Sequence, residues 1–343
     1  MTLGNTYHRP RLFIQDKEIH TKISGSITFA GNSQLNSLQV SIADPNFQNS
    51  RLFNAKVEFY LNNGSEDTIP IFRGFIRSAS PSSKGVSITA YDPRIFLKSN
   101  DALKITITDS NNFDGYSLAA FLNEFITNNI NDNETIIGLD AIRDTNPIVT
   151  MTGIRGTDTA YNFVLNKLKQ SIDSSDIENP LTYFIDIIED SNYSSLTFKK
   201  DKQLTSVPSY SFSFNDGIKD LKFSRRAPVT VGIYDGGKFV YGNAPQGKIG
   251  TVISGNFDSK ADKRNEAIKQ VLLKYQDTNE ISVDVNKGFY VGLGSIINIH
   301  VDEEDVDGNH RVVSKNISFG DSLTCSLKLG RKPIKISDYI SAA

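Results

Sequence analysis

The chain has no tryptophan, one cysteine (Cys325), two methionines and four histidines among 343 residues. Its 37 Lys+Arg against 39 Asp+Glu leave a formal net charge of −2. A single cysteine excludes a disulfide framework and any cysteine-based zinc site. The balanced charge gives no reason to expect binding driven by nucleic-acid phosphates. No stretch approaches the roughly 18 apolar residues that span a bilayer, and the opening MTLGNTYHRPRLF lacks the apolar core of a signal peptide. A soluble protein made in a cytoplasm is therefore expected. What is present, 38% hydrophobic and 22% charged, is a globular composition of a length that corresponds to about two domains.

The apolar residues recur with period two over residues 11–90: Leu38, Val40, Ile42; then Val57, Phe59, Leu61; then Val86, Ile88, Ala90. Such alternation marks half-buried strands, with Asn63-Gly64 as a hairpin turn and the Asp44-Pro45 and Asp92-Pro93 steps ending strands. The period then changes. Leu118, Phe121, Leu122, Phe125 and Ile126 form one apolar stripe on a helix of about a dozen residues. A second helix is expected from Thr157, capped at Gly156-Thr157-Asp158 and carrying Ala160, Phe163, Val164, Leu168 and Ile172. A hairpin follows, with Tyr183, Ile185 and Ile187 on one arm, Asp190-Ser191-Asn192 at the turn, and Leu196 and Phe198 on the other. Period-two strands return at Tyr210, Phe212, Phe214, Leu221, Phe223, Val229, Val231 and Ile233. A third helix interrupts them from about Ser259 to Tyr275, with Ser259 and Asp262 spaced as a capping box. Strands then resume at Ile281, Val283, Val285, at Ile297, Ile299, Val301, and at Leu323, Cys325, Leu327, Leu329.

The expected fold class is mainly β with an α+β middle: two small antiparallel β-barrels flanking, and interrupted by, helix-containing segments. The divisions fall at 1–99 (first barrel), 100–205 (α+β middle), 206–240 with 278–335 (second barrel), 241–277 (loop and helix insertion) and 336–343 (tail). Two β-modules of similar size are compatible with a diverged duplication, although no sequence identity between them is detectable.

Motifs that could carry chemistry are incomplete. Gly242-Asn243-Ala244-Pro245-Gln246-Gly247-Lys248 has the spacing of a phosphate-binding loop, but Ile249 stands where a magnesium-binding hydroxyl is needed and strand-like Thr251-Val252-Ile253 follows. The run Asp302-Glu303-Glu304-Asp305-Val306-Asp307-Gly308 offers Glu303, Asp305 and Asp307 at calcium-loop spacing. Ser314 occupies the position of the bidentate glutamate, so a hairpin turn at Asp307-Gly308 with solvated carboxylates is the better reading. His8, His20, His300 and His310 belong to no nucleophile elbow or metalloprotease pair, and His300 alternates out of register with Ile297, Ile299 and Val301, as a solvent-facing or interface side chain. The basic clusters Lys199, Lys200, Lys202 and Arg225-Arg226 are not interleaved with aromatics and read as solvated faces or intersubunit pairs. Gly153-Ile154-Arg155-Gly156 matches an RNA-clamp spacing over only four residues and reads as a lead into the next helix. No catalytic, cofactor-binding or metal-binding residue is nominated, and no enzyme activity is expected.

Taken together, the pattern resembles the baseplate hub family of contractile phage tails and related injection systems, including the hub portion of VgrG-type spike proteins and late control proteins. The resemblance is carried by a helix with Ala261, Ala267 and Leu272, then ISVDVNKGFYVGLGSIINIHV with Gly288 and Gly294, and a Gly308 turn into HRVVSKNISFGDSLTCSLKLGR. GIRGTDTAYNFVLNKLKQS with YFIDIIEDSNYSSLTF, and IPIFRGFIRSASPSSKGVSITAYDP, add to it. It implies a structural protein of the virion tail, assembled in the host cytoplasm: a homotrimer whose two barrels per subunit make a six-fold-like ring. That ring would join the tail tube, or its initiator, to a central spike and contact other baseplate proteins. DNA or a tape-measure protein would pass through the bore without specific binding. No fused spike or lytic module is expected, so a partner chain would supply the needle. The alternative is a β-rich receptor- or carbohydrate-binding tail protein. The residues of the bore and ring interface, the setting in a contractile or non-contractile tail, and the role of Ile334 and Ile336 in the polar tail are not assigned from the sequence.

Overall fold

The computed structural model describes residues 9–30, 34–47, 52–62, 69–98, 104–107, 117–131, 135–138, 156–159, 161, 164, 183–200, 206–225, 229–234, 237–240, 249–252, 267, 271, 279–286, 288–302 and 306–330. The first β-module contains β1 (Arg9–Ile14), β2 (Lys17–Glu18), β3 (Ile23–Ala30), β4 (Ser37–Ile42), β5 (Lys56–Asn62), β6 (Phe72–Ser82) and β7 (Gly85–Tyr91), followed by the short α1 (Ile95–Lys98). In β4 the alternation is carried through: Leu38, Val40 and Ile42 are buried while Gln39 and Ser41 face solvent. β4 and β7 stop just before their Asp-Pro steps. β5 and β6 pair antiparallel, and the Asn63-Gly64 turn between them lies outside the described residues.

The middle segment contains β8 (Lys104–Ile107), α2 (Leu118–Asn129), β9 (Ile137–Gly138), β10 (Gly156–Thr159), β11 (Tyr183–Glu189) and β12 (Ser194–Lys200). The Ser117 hydroxyl caps α2 by accepting from the Ala120 N–H at 3.1 Å. Leu118, Phe121, Leu122 and Ile126 form its buried stripe, as their spacing requires. β11 and β12 make the expected hairpin, with Ile185, Leu196 and Phe198 buried under α2 in a second, smaller core.

One expectation is corrected. Gly156, Thr157 and Asp158 do not cap a helix; Gly156–Thr159 is a strand paired antiparallel with β8. Helix follows only further on, where Tyr161 and Val164 are helical and fully buried. A local capping pattern yields here to a ladder with residues some fifty positions earlier in the chain. Ala160, Phe163, Leu168 and Ile172 lie outside the described residues, as do Ser259 and Asp262. Ala267 and Val271 of the third helix are helical and buried.

The second β-module contains β13 (Tyr210–Ser213), β14 (Ile218–Arg225), β15 (Val229–Tyr234), β16 (Gly237–Val240), β17 (Ile249–Val252), β18 (Asn279–Val285), β19 (Ile296–His300), β20 (Gly308–Phe319) and β21 (Thr324–Gly330). Val229, Val231 and Ile233 do not join the second-module ladder. β15, β16 and β17 form a separate three-stranded sheet. Gly232 lets that sheet lie close on the third helix, since a Cβ there would meet Val271 Cγ2 at 2.8 Å.

The chain is largely β, as expected, and among the described residues the two modules do not stay separate. They are halves of one 13-stranded sheet in the order β14-β18-β21-β20-β3-β4-β7-β6-β5-β1-β2, with β19 beside β20 and β13 beside β19. A single core runs through both halves, and the rings of Phe59 and Phe319 lie 4.5 Å apart within it.

The halves repeat one another. The strand order β5-β6-β7-β4-β3 of the first recurs as β19-β20-β21-β18-β14 in the second. The registers match in the four shared ladders except at the start of β14, where a shift between Ile218 and Asp220 has no counterpart in β3. Lys56↔Phe75 and Phe59↔Phe72 in β5–β6 correspond to Ile296↔Arg311 and Ile299↔Gly308 in β19–β20. Phe75↔Tyr91 through Ser82↔Gly85 in β6–β7 corresponds to Arg311↔Gly330 through Ser318↔Thr324 in β20–β21. Both ladders skip one residue at the same place, between Ile76 and Ser78 in one and between Val312 and Ser314 in the other. Leu38↔Ala90 and Ile42↔Val86 match Ile281↔Leu329 and Val285↔Cys325. Gly25↔Val40 and Ile27↔Leu38 match Leu221↔Val283 and Phe223↔Ile281. A shared bulge is a designed feature of a strand pair rather than noise, so its recurrence marks a structural duplication.

Candidate functional site

The feature that sets the geometry of the whole chain is the seam where the two halves meet. The second half of β20 pairs antiparallel with β3, from Ser314↔Ala30 to Phe319↔Gly25. Ile27 and Ile317 face each other there, both fully buried. One pair along, the Thr28 hydroxyl donates to Asn316 Oδ1 at 3.0 Å, and Ser314 Oγ donates to the Phe29 carbonyl at 3.1 Å. Gly25 belongs in β3 because a Cβ there would meet the Gln39 carbonyl at 2.0 Å. Lys315 is buried under the seam. Its Nζ donates to the Phe289 carbonyl at 2.8 Å and lies 4.4 Å from the centre of the Phe29 ring, and burial pulls its pKa down to about 8. Cys325 is buried nearby, and its thiol is pushed up to about 12 by burial, which leaves it without thiolate character.

Two buried arginines fix the middle hairpin to the first module. Arg94 bonds Asp92 through Nε (3.0 Å to Oδ1) and Nη2 (2.6 Å to Oδ2), while Nη1 donates to the Ile185 carbonyl of β11 at 2.9 Å. Burial works against the charge on Arg94, but the Asp92 carboxylate outweighs it and holds the guanidinium protonated. Asp92 also accepts from the Asn36 N–H at 2.6 Å, so the group is fully bonded.

Arg73 does the same at the hairpin tip. Its Nε donates to Glu58 at 2.7 Å, Nη1 reaches Glu189 at 3.4 Å, and Nη2 donates to the carbonyls of Asp190 and Ser191 at 3.1 and 3.2 Å. The β6–β7 ladder starts at Phe75, so the Arg73 backbone N–H lies beyond its reach; it donates to Glu189 Oε1 at 3.2 Å instead. Burial raises the pKa of Glu189 to about 7, against the opposing pull of the Ser194 hydroxyl (2.7 Å) and Arg73. At the other face of the hairpin, Phe184 packs so tightly on Gly294 (φ +73°) that a Cβ there would stand 2.8 Å from its ring.

The sequence-derived candidates are scattered. His300 is exposed and lies 3.7 Å from Asp307, His20 is exposed, and His8 lies outside the described residues. His310 is buried, with Nε2 2.6 Å from the Val306 carbonyl. Asp307 accepts from the Val301 N–H at 3.3 Å, and Gly308 (φ +119°) is already the first residue of β20, paired with Ile299, so it belongs to the strand and not to a two-residue turn with Asp307. Glu303, Glu304 and Asp305 lie outside the described residues. Ile249 begins a strand that pairs parallel with β15, so no helix follows the glycine-rich loop to aim its amides at a phosphate; Gly242–Lys248 themselves are outside the described residues. Lys199 pairs within the chain, with Asp186 at 2.6 Å. Lys202, Arg226, Gly153, Ile154 and Arg155 lie outside the described residues, as do the side chains of Lys200 and Arg225. Among the described residues, no group of three or more His, Cys, Asp or Glu side chains is placed to hold a metal, and no helix is long and apolar enough to cross a membrane.

Sequence reasoning missed Arg73, Arg94, Glu189 and Lys315. Their signal was a charge inside an otherwise apolar strand or at a strand end, which by itself does not say which partner it meets.

No protein-family model matches the sequence, and no curated protein matches it. Solved structures do share its fold. A tail protein from Neisseria meningitidis MC58 superposes with a TM-score of 0.68 at 15% identity, covering 97% of this chain and 99% of that one. The 43 kDa tail protein of prophage MuSo2 from Shewanella oneidensis gives 0.65 at 11% identity, covering 95% and 97%. An Escherichia coli component of the type VI secretion system, itself similar in structure to the T4 bacteriophage tail proteins gp27 and gp5, gives 0.57 at 8% identity, covering 94% and 76%. The fold of this chain is shared with these phage tail proteins and with the secretion-system component.

Proposed function

We propose that the chain is a structural hub of a phage-type tail tip or baseplate, three copies of which form a pseudo-six-fold ring that joins the tail tube to a central spike. The observation that carries this reading is the internal repeat: each chain presents two β-modules with the same strand order, register and bulge. Three chains then offer six equivalent modules to a six-fold tube and three equivalent chains to a three-fold spike. The likeness to tail proteins across nearly the whole chain supports the same role. The work done is geometric, and the buried Arg73 and Arg94 contacts serve it by holding the middle hairpin rigidly on the first module. DNA or a tape-measure protein passes through the bore, and other baseplate proteins bind the outer surface.

A receptor- or carbohydrate-binding role has less support. The groove of about 290 Å³ formed by Lys22, Ser24, Ser41, Ser82, Lys84 and Ser87 with the adjoining backbone has no aromatic face for a sugar to stack on.

Light scattering on the purified protein, alone and co-expressed with the candidate spike, tests the proposal. A three-fold multiple of 38.0 kDa is expected. A chain that stays monomeric in both settings overturns it.

A further inference from the structure

The internal seam has an unfilled counterpart. Under the repeat described above, β3 corresponds to β14 and β20 corresponds to β6. The seam β3–β20 joins the first half to the second, so a seam of the same kind between β14 and β6 would join the second half of one copy to the first half of the next. Among the described residues β14 pairs on one side only, with β18, and β6 beyond Phe75 pairs on one side only, with β7. β20 shows what belongs on the open side of β6. Its first half pairs with β19 there, as Phe72–Phe75 of β6 pair with β5, and its second half pairs with β3.

Resting on the ring reading above, we propose that β14 of one copy adds antiparallel to the second half of β6 of a neighbouring copy, in the register of the internal seam. Carrying that register over places Ala79 opposite Arg225, Ser80 opposite Ser224, Pro81 opposite Phe223 and Ser82 opposite Lys222 of the neighbour.

Three observations support this register. First, Ile27 and Ile317 of the internal seam are fully buried against each other, whereas their counterparts Phe223 (42% exposed) and Pro81 are exposed and apolar in the single chain. The contact would cover both. Second, Ser80 and Ser224, which correspond to Asn316 and Thr28, are small, uncharged and exposed, so neither of these two side chains blocks the approach. Third, Pro81 explains why the edge does not pair with arbitrary strands. Ser82 and Gly85 flank a two-residue turn and form a hydrogen-bonded pair, so by alternation Pro81 faces the open edge and withholds one donor from it. The intended neighbour loses one ladder bond and gains the Phe223 contact. The interface is heterologous, two different surfaces of one chain, and this is the kind that closes into a ring.

Cysteine cross-linking tests the register. By the same alternation, Ser80 directs its backbone groups to β7, so Ser80 and Ser224 would form a non-hydrogen-bonded pair with Cα atoms about 4.5 Å apart, within disulfide range. Mixing Ser80→Cys protein with Ser224→Cys protein under mild oxidation should give a two-chain band on a non-reducing gel, and the double variant should give covalent rings. Thr28→Cys with Asn316→Cys, the internal equivalent, should form an intrachain disulfide and calibrates the geometry. The native Cys325 is buried and does not compete. A three-fold solution mass with no cross-link, while the internal pair does form, overturns the strand pairing and leaves the ring standing. A chain that stays single and uncross-linked, alone and with the spike, overturns both.

Discussion

Ile27 of β3 and Ile317 of β20 stand opposite each other across the seam, each without exposed surface, and so tie the first strands of the chain to its last. Truncation at this point removes buried methyl groups from a position packed from both sheet halves. Ile317→Ala is expected to cost about 2–5 kcal/mol, read from the denaturant midpoint with an unchanged slope. A loss below about 1 kcal/mol would show that the halves hold together without the seam.

Arg73 is the only side chain bonded to Glu58, Glu189 and the hairpin-tip carbonyls together among the described residues. Arg73→Ala leaves the largely buried Glu189 without its cation and Glu58 with only Lys56, at 3.4 Å, a change of the class that costs about 3–5 kcal/mol. Arg73→Lys should recover only part of this, because one ammonium cannot serve acceptors placed around a fork. Hydrogen exchange at Asp190 and Ser191 should accelerate in both variants. Unchanged exchange there would remove Arg73 from its anchoring role.

Glu189 makes stability depend on pH in a stated direction. Its folded pKa is raised to about 7 from an ordinary value near 4.5, so between these values the folded state holds more protons than the unfolded one. Its contribution is therefore fully present below pH 4.5 and lost as pH rises towards 7, on the order of 3 kcal/mol in all. Glu189→Gln should flatten the stability profile in that window. A variant whose profile overlays that of the native chain between pH 4.5 and 7 would assign the dependence elsewhere.

Gly294 lies at φ +73° with the Phe184 ring where a Cβ would point. Gly294→Ala combines left-handed backbone strain with a clash and is expected to cost about 1–3 kcal/mol. Thermal unfolding measures it. Gly292→Ala, where a Cβ would meet only Ser295 Oγ at 3.6 Å, is the control and should stay close to native.

Assembly should depend on Phe223. Phe223→Asp puts a charge opposite Pro81 in the proposed contact and is expected to weaken self-association at least tenfold, measured as the concentration at which the three-fold mass dissociates. The fold of the single chain should be unaffected, because the side chain faces solvent there. Undiminished association would displace β14 from the interface.

Much of the local structure was legible. The stripe of Leu118, Phe121, Leu122 and Ile126 became α2, the 183–198 segment became a hairpin around Asp190-Ser191-Asn192, and the alternating runs of both modules became strands. These succeed because one buried face imposes its own period on nearby residues. Gly156–Thr159 failed because the competing partner, Lys104–Ile107, is distant in sequence. The separate sheet of Val229–Tyr234 was invisible for the same reason. Alternation shows that a strand has a buried face but not which ladder it joins.

The sequence by itself determined the class of the molecule: its composition, its alternating strands, its incomplete catalytic motifs and the possibility of a duplicated β-module. Tertiary structure alone decided that the two modules form one sheet, that their registers repeat down to a shared bulge, and that Arg73 and Arg94 reach across to a hairpin about a hundred residues away. The reason is physical. Period and turn chemistry act over a few residues and survive sequence divergence as pattern. Register is set by which backbone groups find each other in space, and that information is spread over contacts between residues hundreds of positions apart, with no local signature to read.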